Sequence, residues 1–212
     1  MNIIAAADKN WGIGRSGGLL FSIPKDKKLF RELTTRKVVV MGRKTLQSLP
    51  DATPLPNRVN IVLTGNPSAL SDYNPAYNSL YNPACNSACN SVYNPACNSA
   101  RNSAYNHIPA RGLIICTSFS AVSKVLADYK SDDIFIIGGQ DIYEMFINYC
   151  ECAYITKVSA EMQADRFLPN MDELPDWTLV SESTPMVYNN LSYTFNKYLN
   201  TRFISIGENQ CG

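Results

Sequence analysis

Residues 134–143 read IFIIGGQDIY: four apolar residues, a glycine pair, then the opening of a helix. The run Ile134-Phe135-Ile136-Ile137 has no polar alternation, so it fits a strand covered on both faces. Gly138 and Gly139 let a ligand approach the backbone, and free amides where the helix opens suit a phosphate. A plain strand-to-helix turn would read the same way, so the segment speaks first about fold. The same character recurs outward from it. Residues 2–7, 37–41, 59–64, 112–116 and 153–158 are short runs rich in Ile and Val. Helices are predicted over 24–33, over 118–129 behind a Ser118 cap, and over 140–148. Residues 177–183 and 192–199 alternate like an antiparallel hairpin. The expectation is a single α/β domain, a mostly parallel sheet with flanking helices and a C-terminal antiparallel hairpin.

Composition narrows the function. The 212 residues are 45% apolar and 17% charged, and 19 basic against 18 acidic side chains leave a net charge of +1. No basic excess points to nucleic acid. The longest apolar runs are strand-sized, so no membrane span is expected. Residues 1–8, MNIIAAAD, carry neither a basic start nor a cleavage site, and a cytoplasmic location is expected. The seven cysteines include no C-x-x-C pair, and Cys150-Glu151-Cys152 is too closely spaced for a zinc knuckle, so no metal site is expected. His107 is the one histidine and lies in a repeat, which sets aside Ser-His-Asp, Cys-His and H-E-x-x-H chemistry.

That repeat covers 73–108 in nine tetrads, YNPA YNSL YNPA CNSA CNSV YNPA CNSA RNSA YNHI, with Asn second in each. Tyr and Cys, Cys and Arg, and Pro and Ser have codons one base apart. An expanded and drifted tandem DNA repeat accounts for the pattern without selection on each residue. Pro75, Pro83 and Pro95 interrupt any helix, and the units are too short for a solenoid. A loosely turned surface insertion is expected.

Met41-Gly42-Arg43-Lys44-Thr45 repeats the strand-end logic with a glycine, two cations and a hydroxyl, and with the 138–139 turn it points to a dinucleotide on one open sheet. Asp26 follows Phe21-Ser22-Ile23-Pro24 and, alone, is an ordinary first-turn acid. In chain order stand Trp11-Gly12-Ile13-Gly14, then Leu20 to Asp26, then Val40 to Thr45, then Pro54-Leu55-Pro56-Asn57-Arg58. Ile137-Gly138-Gly139, Ile142-Tyr143, Tyr154-Ile155-Thr156, and Asp165 with Phe167-Leu168-Pro169 follow. Together these motifs closely resemble dihydrofolate reductase of the bacterial type, over roughly 2–66 and 111–199.

The resemblance implies one domain, 1–199, around a mainly parallel eight-stranded sheet, interrupted at 73–108 and followed by a tail, 200–212, with no assigned role. It implies hydride transfer from NADPH to C6 of 7,8-dihydrofolate and protonation at N5, giving 5,6,7,8-tetrahydrofolate for one-carbon metabolism. Asp26 would be the site acid, with Thr156 and Phe21 beside it. Ile4, Ala5, Phe30, Leu49, Leu55, Arg58 and Ile137 would complete the substrate site, with Arg58 taking the glutamate carboxylate of the tail. Flanked by Ile4, Phe21 and Phe30, the acid should be desolvated and its pKa raised. For NADPH the implied residues are Ala6, Ile13, Gly14, Leu19, Gly42, Arg43, Lys44, Thr45, Leu63, Thr64, Gly65, Ile137, Gly138, Gly139, Gln140, Asp141, Ile142 and Tyr143. A flexible loop over 12–20 would close over the reacting rings, and the glycine pair would be joined by a cis peptide. Diaminopyrimidine and pteridine antifolates would compete with substrate, and a monomer is expected.

Three departures stand out. Phe21 replaces the family's common Trp, for which a rate effect is expected. Asp141 stands where some relatives carry an arginine, leaving Arg43 and Thr64 with most of the preference for NADPH over NADH. The tetrads follow the 64–67 loop, where the family needs only a short connection. A reductase of the riboflavin pathway is the same-fold alternative, disfavoured by Asp26, Thr156 and Arg58 occurring together. An assembly protein built on the Tyr- and Cys-bearing repeat is the alternative of another class.

Overall fold

The computed structural model describes residues 1–70, 89–91 and 112–206, with backbone alone for 89–91. The rest of the tetrad tract and residues 207–212 lie outside the described residues, as do the expectations that fall on them. In chain order the elements are β1 (Asn2–Ala7), β2 (Gly12–Arg15), β3 (Gly18–Leu19), α1 (Pro24–Thr34), β4 (Val38–Gly42), α2 (Arg43–Ser48) and β5 (Val59–Leu63). There follow β6 (Cys89–Ser91), β7 (Gly112–Cys116), α3 (Phe119–Leu126), β8 (Ile134–Gly138), α4 (Gln140–Phe146) and β9 (Cys152–Val158). The chain ends with β10 (Arg166–Phe167), β11 (Trp177–Glu182), β12 (Met186–Tyr188) and β13 (Leu191–Asn200).

The main sheet runs β11-β13-β9-β1-β8-β4-β5-β7-β6, with β12 also on β13. Its centre is parallel, β1 with β8 and β9, β4 with β5 and β8, β5 with β7, while β13 is antiparallel to β9 and β11. The eight strands from β11 to β7 are the expected ones. The short β12 and β6, the latter bringing Cys89 opposite Cys116, extend the sheet to ten.

Unbroken apolarity follows from having both faces covered. Ile3, Val38, Val40, Ile61 and Ile136 pack with Ala121, Val122, Leu126, Ile142 and Phe146 of α3 and α4. On the alternate positions, Ile4, Val39, Met41, Val62 and Phe135 pack with Phe30, Leu33 and Leu46 of α1 and α2. Pro24 opens α1, where its missing N–H costs nothing, and the Ser118 hydroxyl caps α3 by accepting the Ala121 N–H at 3.2 Å. Both later helices stop short of their expected ends, α3 at Leu126 and α4 at Phe146, the latter passing into a 3₁₀ turn at Ile147–Tyr149.

The segment expected as a flexible loop over 12–20 is a hairpin in a second sheet, β10-β2-β3. Asp165 secures it, its carboxylate accepting the Ser16 N–H at 2.9 Å, while Leu168 N–H donates to Trp11 O at 2.8 Å. A Cβ on Gly12 would stand 2.5 Å from the Ala164 Cβ, so the close approach there requires glycine. At the far end, β13 continues through Asn200, and Thr201 and Ile204 N–H groups donate to Asp176 O and Asn148 O, both at 2.8 Å. No helix among the described residues is long and apolar enough to cross a membrane.

Candidate active site

The acid and its partner come from elements far apart in the chain. Asp26 lies in the first turn of α1, and β9 sets Thr156 opposite Ala6 of β1. The Thr156 hydroxyl donates to Asp26 Oδ1 at 2.6 Å, and Thr156 itself is buried. Burial pushes the Asp26 carboxyl above the ordinary aspartate value, outweighing the downward pull of the Thr156 hydrogen bond and of Lys27. Tyr143 stands behind it. Its hydroxyl donates to Ile4 O at 2.9 Å, and burial, then the Asp26 charge, raise the phenol's pKa. The Tyr143 ring fills the space over Gly138: a Cβ there would lie 2.7 Å from the ring edge, and the Gly138–Gly139 bond is cis.

The apolar residues expected around the acid fall into two clusters, and the run of them along α1 is termed the slot. Ile4, Phe30, Leu49, Leu55 and Ile137 share one cluster, and Phe21 and Ala6 share another with Ile23 and Val158. Asp26, Phe30 and Thr34 follow one another at four-residue spacing along α1, so they form one stripe about 12 Å long. Arg58 stands at its far end. The Arg58 Nε donates to Thr34 Oγ1 at 2.8 Å, Nη1 to Pro56 O at 2.7 Å and Nη2 to Thr35 Oγ1 at 3.4 Å, with the guanidinium 5.8 Å from the Phe30 ring centre. Burial, then Arg31, lower its pKa. These bonds leave N–H groups for a carboxylate. Thr34 was not legible as a site residue. The signal was there, since a buried arginine needs acceptors and Thr34 falls on the inward stripe of α1.

A second set of groups lines the C-terminal ends of β8, β4 and β5, which are neighbours. Their turns are Gly138–Gly139, Gly42 to Thr45, and Thr64–Gly65. The Thr45 hydroxyl is 3.6 Å from where a Gly139 Cβ would stand, a Gly42 Cβ would meet Ile142 at 3.3 Å, and Gly65 faces open space. Arg43 is steadied by its Nη1 donating to Gln47 Oε1 at 2.9 Å, and the Thr64 hydroxyl accepts the Asn66 N–H at 3.1 Å. Glycines, cations and hydroxyls at the carboxyl ends of parallel strands make a crevice suited to a phosphate-bearing dinucleotide.

Several expected contacts take another form. Ala5 points to the opposite face from Ile4 and Ala6, because successive strand residues alternate, so only its backbone can serve the slot. Ile13 and Ile142 are buried in the core cluster, and half-buried Leu63 packs against it. Leu19 is 77% exposed on its hairpin, and Asp141 is exposed. The Gln140 side chain turns to the small sheet, accepting the Phe167 N–H at 3.0 Å and donating to Glu144 at 2.8 Å. No cluster of His, Cys, Asp or Glu able to hold a metal ion occurs among the described residues.

The same arrangement of elements is found in known proteins. A dihydrofolate reductase from Enterococcus faecalis, solved in complex with NADP(H) and RAB-propyl, superposes with a TM-score of 0.63 over 94% of this chain and 95% of its own, at 24% identity. A dihydrofolate reductase of Schistosoma mansoni is 30% identical over 83% of this chain and 85% of its own length. A bifunctional dihydrofolate reductase-thymidylate synthase of Glycine max is 29% identical over 94% of this chain, which spans 33% of that longer protein. The family model for dihydrofolate reductase matches residues 1–91 and 100–200, taking in the acid, the slot and the glycine turns alike, and the chain therefore belongs to the dihydrofolate reductase family.

Proposed function

We propose that this chain reduces 7,8-dihydrofolate to 5,6,7,8-tetrahydrofolate with NADPH, in one-carbon metabolism. The observation that carries the reading is the 2.6 Å contact of Thr156 with an acid whose pKa burial raises, at the head of an apolar slot. Asp26 would accept hydrogen bonds from the pterin 2-amino group and ring nitrogen, and would promote protonation at N5 through ordered water. Thr156 orients that carboxyl. Ile4, Phe30, Leu49, Leu55 and Ile137 exclude water around the rings, with Phe21 closing the acid end. Arg58 would pair its remaining N–H groups with the substrate's glutamate carboxylate.

The glycine-lined crevice fits NADPH, since Gly65 and Gly139 leave room where side chains would block approach to the backbone. When bound there, NADPH supplies the hydride. Arg43, Lys44, Thr45 and Thr64 would hold its phosphates, backbone at Gly138 to Ile142 would face the pyrophosphate, Tyr143 would back the nicotinamide side, and Ala6, Gly14 and the β2–β3 hairpin would cover it. The same reading takes the chain as a cytoplasmic monomer, with 73–108 an insertion in one 1–199 domain and 200–212 a tail. Diaminopyrimidine and pteridine antifolates would compete by offering Asp26 the same pair of donors.

NADPH absorbance followed with purified protein and dihydrofolate, beside Asp26→Asn, tests the proposal. Oxidation that depends on dihydrofolate and collapses in the variant is expected. Wild-type protein that binds NADPH without turnover would overturn it.

A further inference from the structure

Asn60 is the second residue of β5, with no solvent exposure, and its side chain makes four hydrogen bonds. Its Oδ1 accepts the Leu55 N–H at 2.9 Å, while its Nδ2 donates to Leu55 O at 3.0 Å, Arg58 O at 3.2 Å and Gly112 O at 3.0 Å. A carboxamide carries the same donor and acceptor as a peptide group, so Asn60 pairs with Leu55 as a neighbouring strand would.

The segment it grips does little to hold itself. Asp51, Ala52 and Asn57 have φ of 53°, 50° and 57°, in the left-handed region that side chains disfavour. Besides short turns at Ala52 and Thr53, its backbone tether to the rest of the fold is Asn57 O, which accepts the Arg36 N–H at 2.8 Å. Leu55 sits at the middle of this segment and Arg58 at its end. The third carbonyl, Gly112 O, belongs to the first residue of β7, where the chain re-enters the sheet after the tetrad tract.

We propose that Asn60 is a positioning residue for the substrate tail: it sets Leu55 and Arg58 in register with α1, and it ties that register to the first residue of β7. The inference rests on the function proposed above in assigning the tail to Arg58. A peptide-like clamp explains why a polar side chain is kept in a strand otherwise built from Val59, Ile61, Val62 and Leu63. Apolar replacement would take both of these partners from the backbone of half-buried Leu55.

Two readouts on Asn60→Ala, and on Asn60→Ser if the first does not fold, test the clamp. In hydrogen exchange, the Leu55 amide should lose its protection while the β5 amides of Ile61 and Leu63 keep theirs; a Leu55 amide that stays protected overturns the proposal, whatever the chain catalyses. In kinetics, the KM for dihydrofolate should rise about tenfold, well beyond any rise for a 6-methyl-7,8-dihydropterin lacking the tail, with the KM for NADPH held within about twofold. Equal loss on both substrates, or no loss on dihydrofolate, overturns it. Wild-type protein inactive on dihydrofolate would sink the proposed function instead, and exchange at Leu55 would still decide the clamp.

Discussion

Asp26 and Arg58 stand at the two ends of one slot and are held in opposite ways. The acid is partly buried, and Thr156 is the side chain that hydrogen-bonds it, reaching across from a strand 130 positions later in the chain. The cation is almost wholly buried, and its partners lie closer in the chain: Thr34 and Thr35, 24 and 23 positions earlier, and Pro56 O. Desolvation with a single donor leaves the carboxyl free to change protonation, which acid chemistry needs. Several acceptors around a guanidinium do the reverse and fix an orientation. One end of the slot is tuned and the other is braced.

The largest effect should come at the tuned end. Asp26→Asn is expected to lower turnover of dihydrofolate by about 10²- to 10³-fold at pH 7. Stability should move the other way. Because the folded-state pKa is raised, the carboxyl's stabilising share is complete below the ordinary value of 3.8 and is lost as pH rises through the folded value. The variant escapes that loss, so thermal melts should place it above wild type at pH 7 and level with it near pH 3. A variant no more stable at neutral pH would show that burial does not dominate at Asp26.

At the braced end, Arg58→Lys should raise the KM for dihydrofolate by about 10- to 100-fold, because an ammonium cannot reproduce a forked pair. Here stability should fall, by about 1–3 kcal/mol in denaturant titrations, since Thr34 and Pro56 O lose buried partners. If both variants shifted stability in the same direction, the contrast between the ends would collapse.

Thr156→Val sharpens the comparison with a smaller effect. Its hydroxyl lowers the Asp26 pKa, so removing it should move the inflection of the pH–rate profile upward and change turnover at pH 7 by about three- to tenfold. An unmoved profile would separate Thr156 from the acid. Smallest of all, Phe21→Trp should change turnover by less than about threefold and cost up to about 1–3 kcal/mol, because the larger ring must enter a packed cluster with Ile23, Val158 and Tyr193. Stopped-flow rates and melts on the same preparation would check both parts.

Much of the fold was legible because its cause is local. Short apolar runs without alternation and rich in Ile and Val, such as Val38 to Met41 and Ile134 to Ile137, fit strands covered on both sides, and both proved to be. The Ser118 cap and Pro24 at the first turn of α1 were readable for the same reason. Helix ends were less so, since α4 gives way to a 3₁₀ turn where Ile147 packs into the core. The 12–20 segment was harder still. Its small sheet depends on β10 and on Asp165, about 150 residues away, and no window of sequence shows a pairing that distant.

By itself, the sequence determined which residues could carry chemistry: an acid two residues after Pro24, an arginine closing the Pro54–Arg58 motif, and glycines at two strand ends. Side-chain type and spacing decide those, and ordered motifs carry them. Tertiary structure alone decided what each one touches. It turned Ala5 away from the slot through the two-residue period of β1, exposed Leu19 on its hairpin, engaged the Gln140 side chain with Phe167, and made Thr34 and Asn60 into supports for Arg58 and its segment. Burial and hydrogen-bond pairing depend on which elements pack together. That is a property of the whole sheet, and it is written at no single position in the chain.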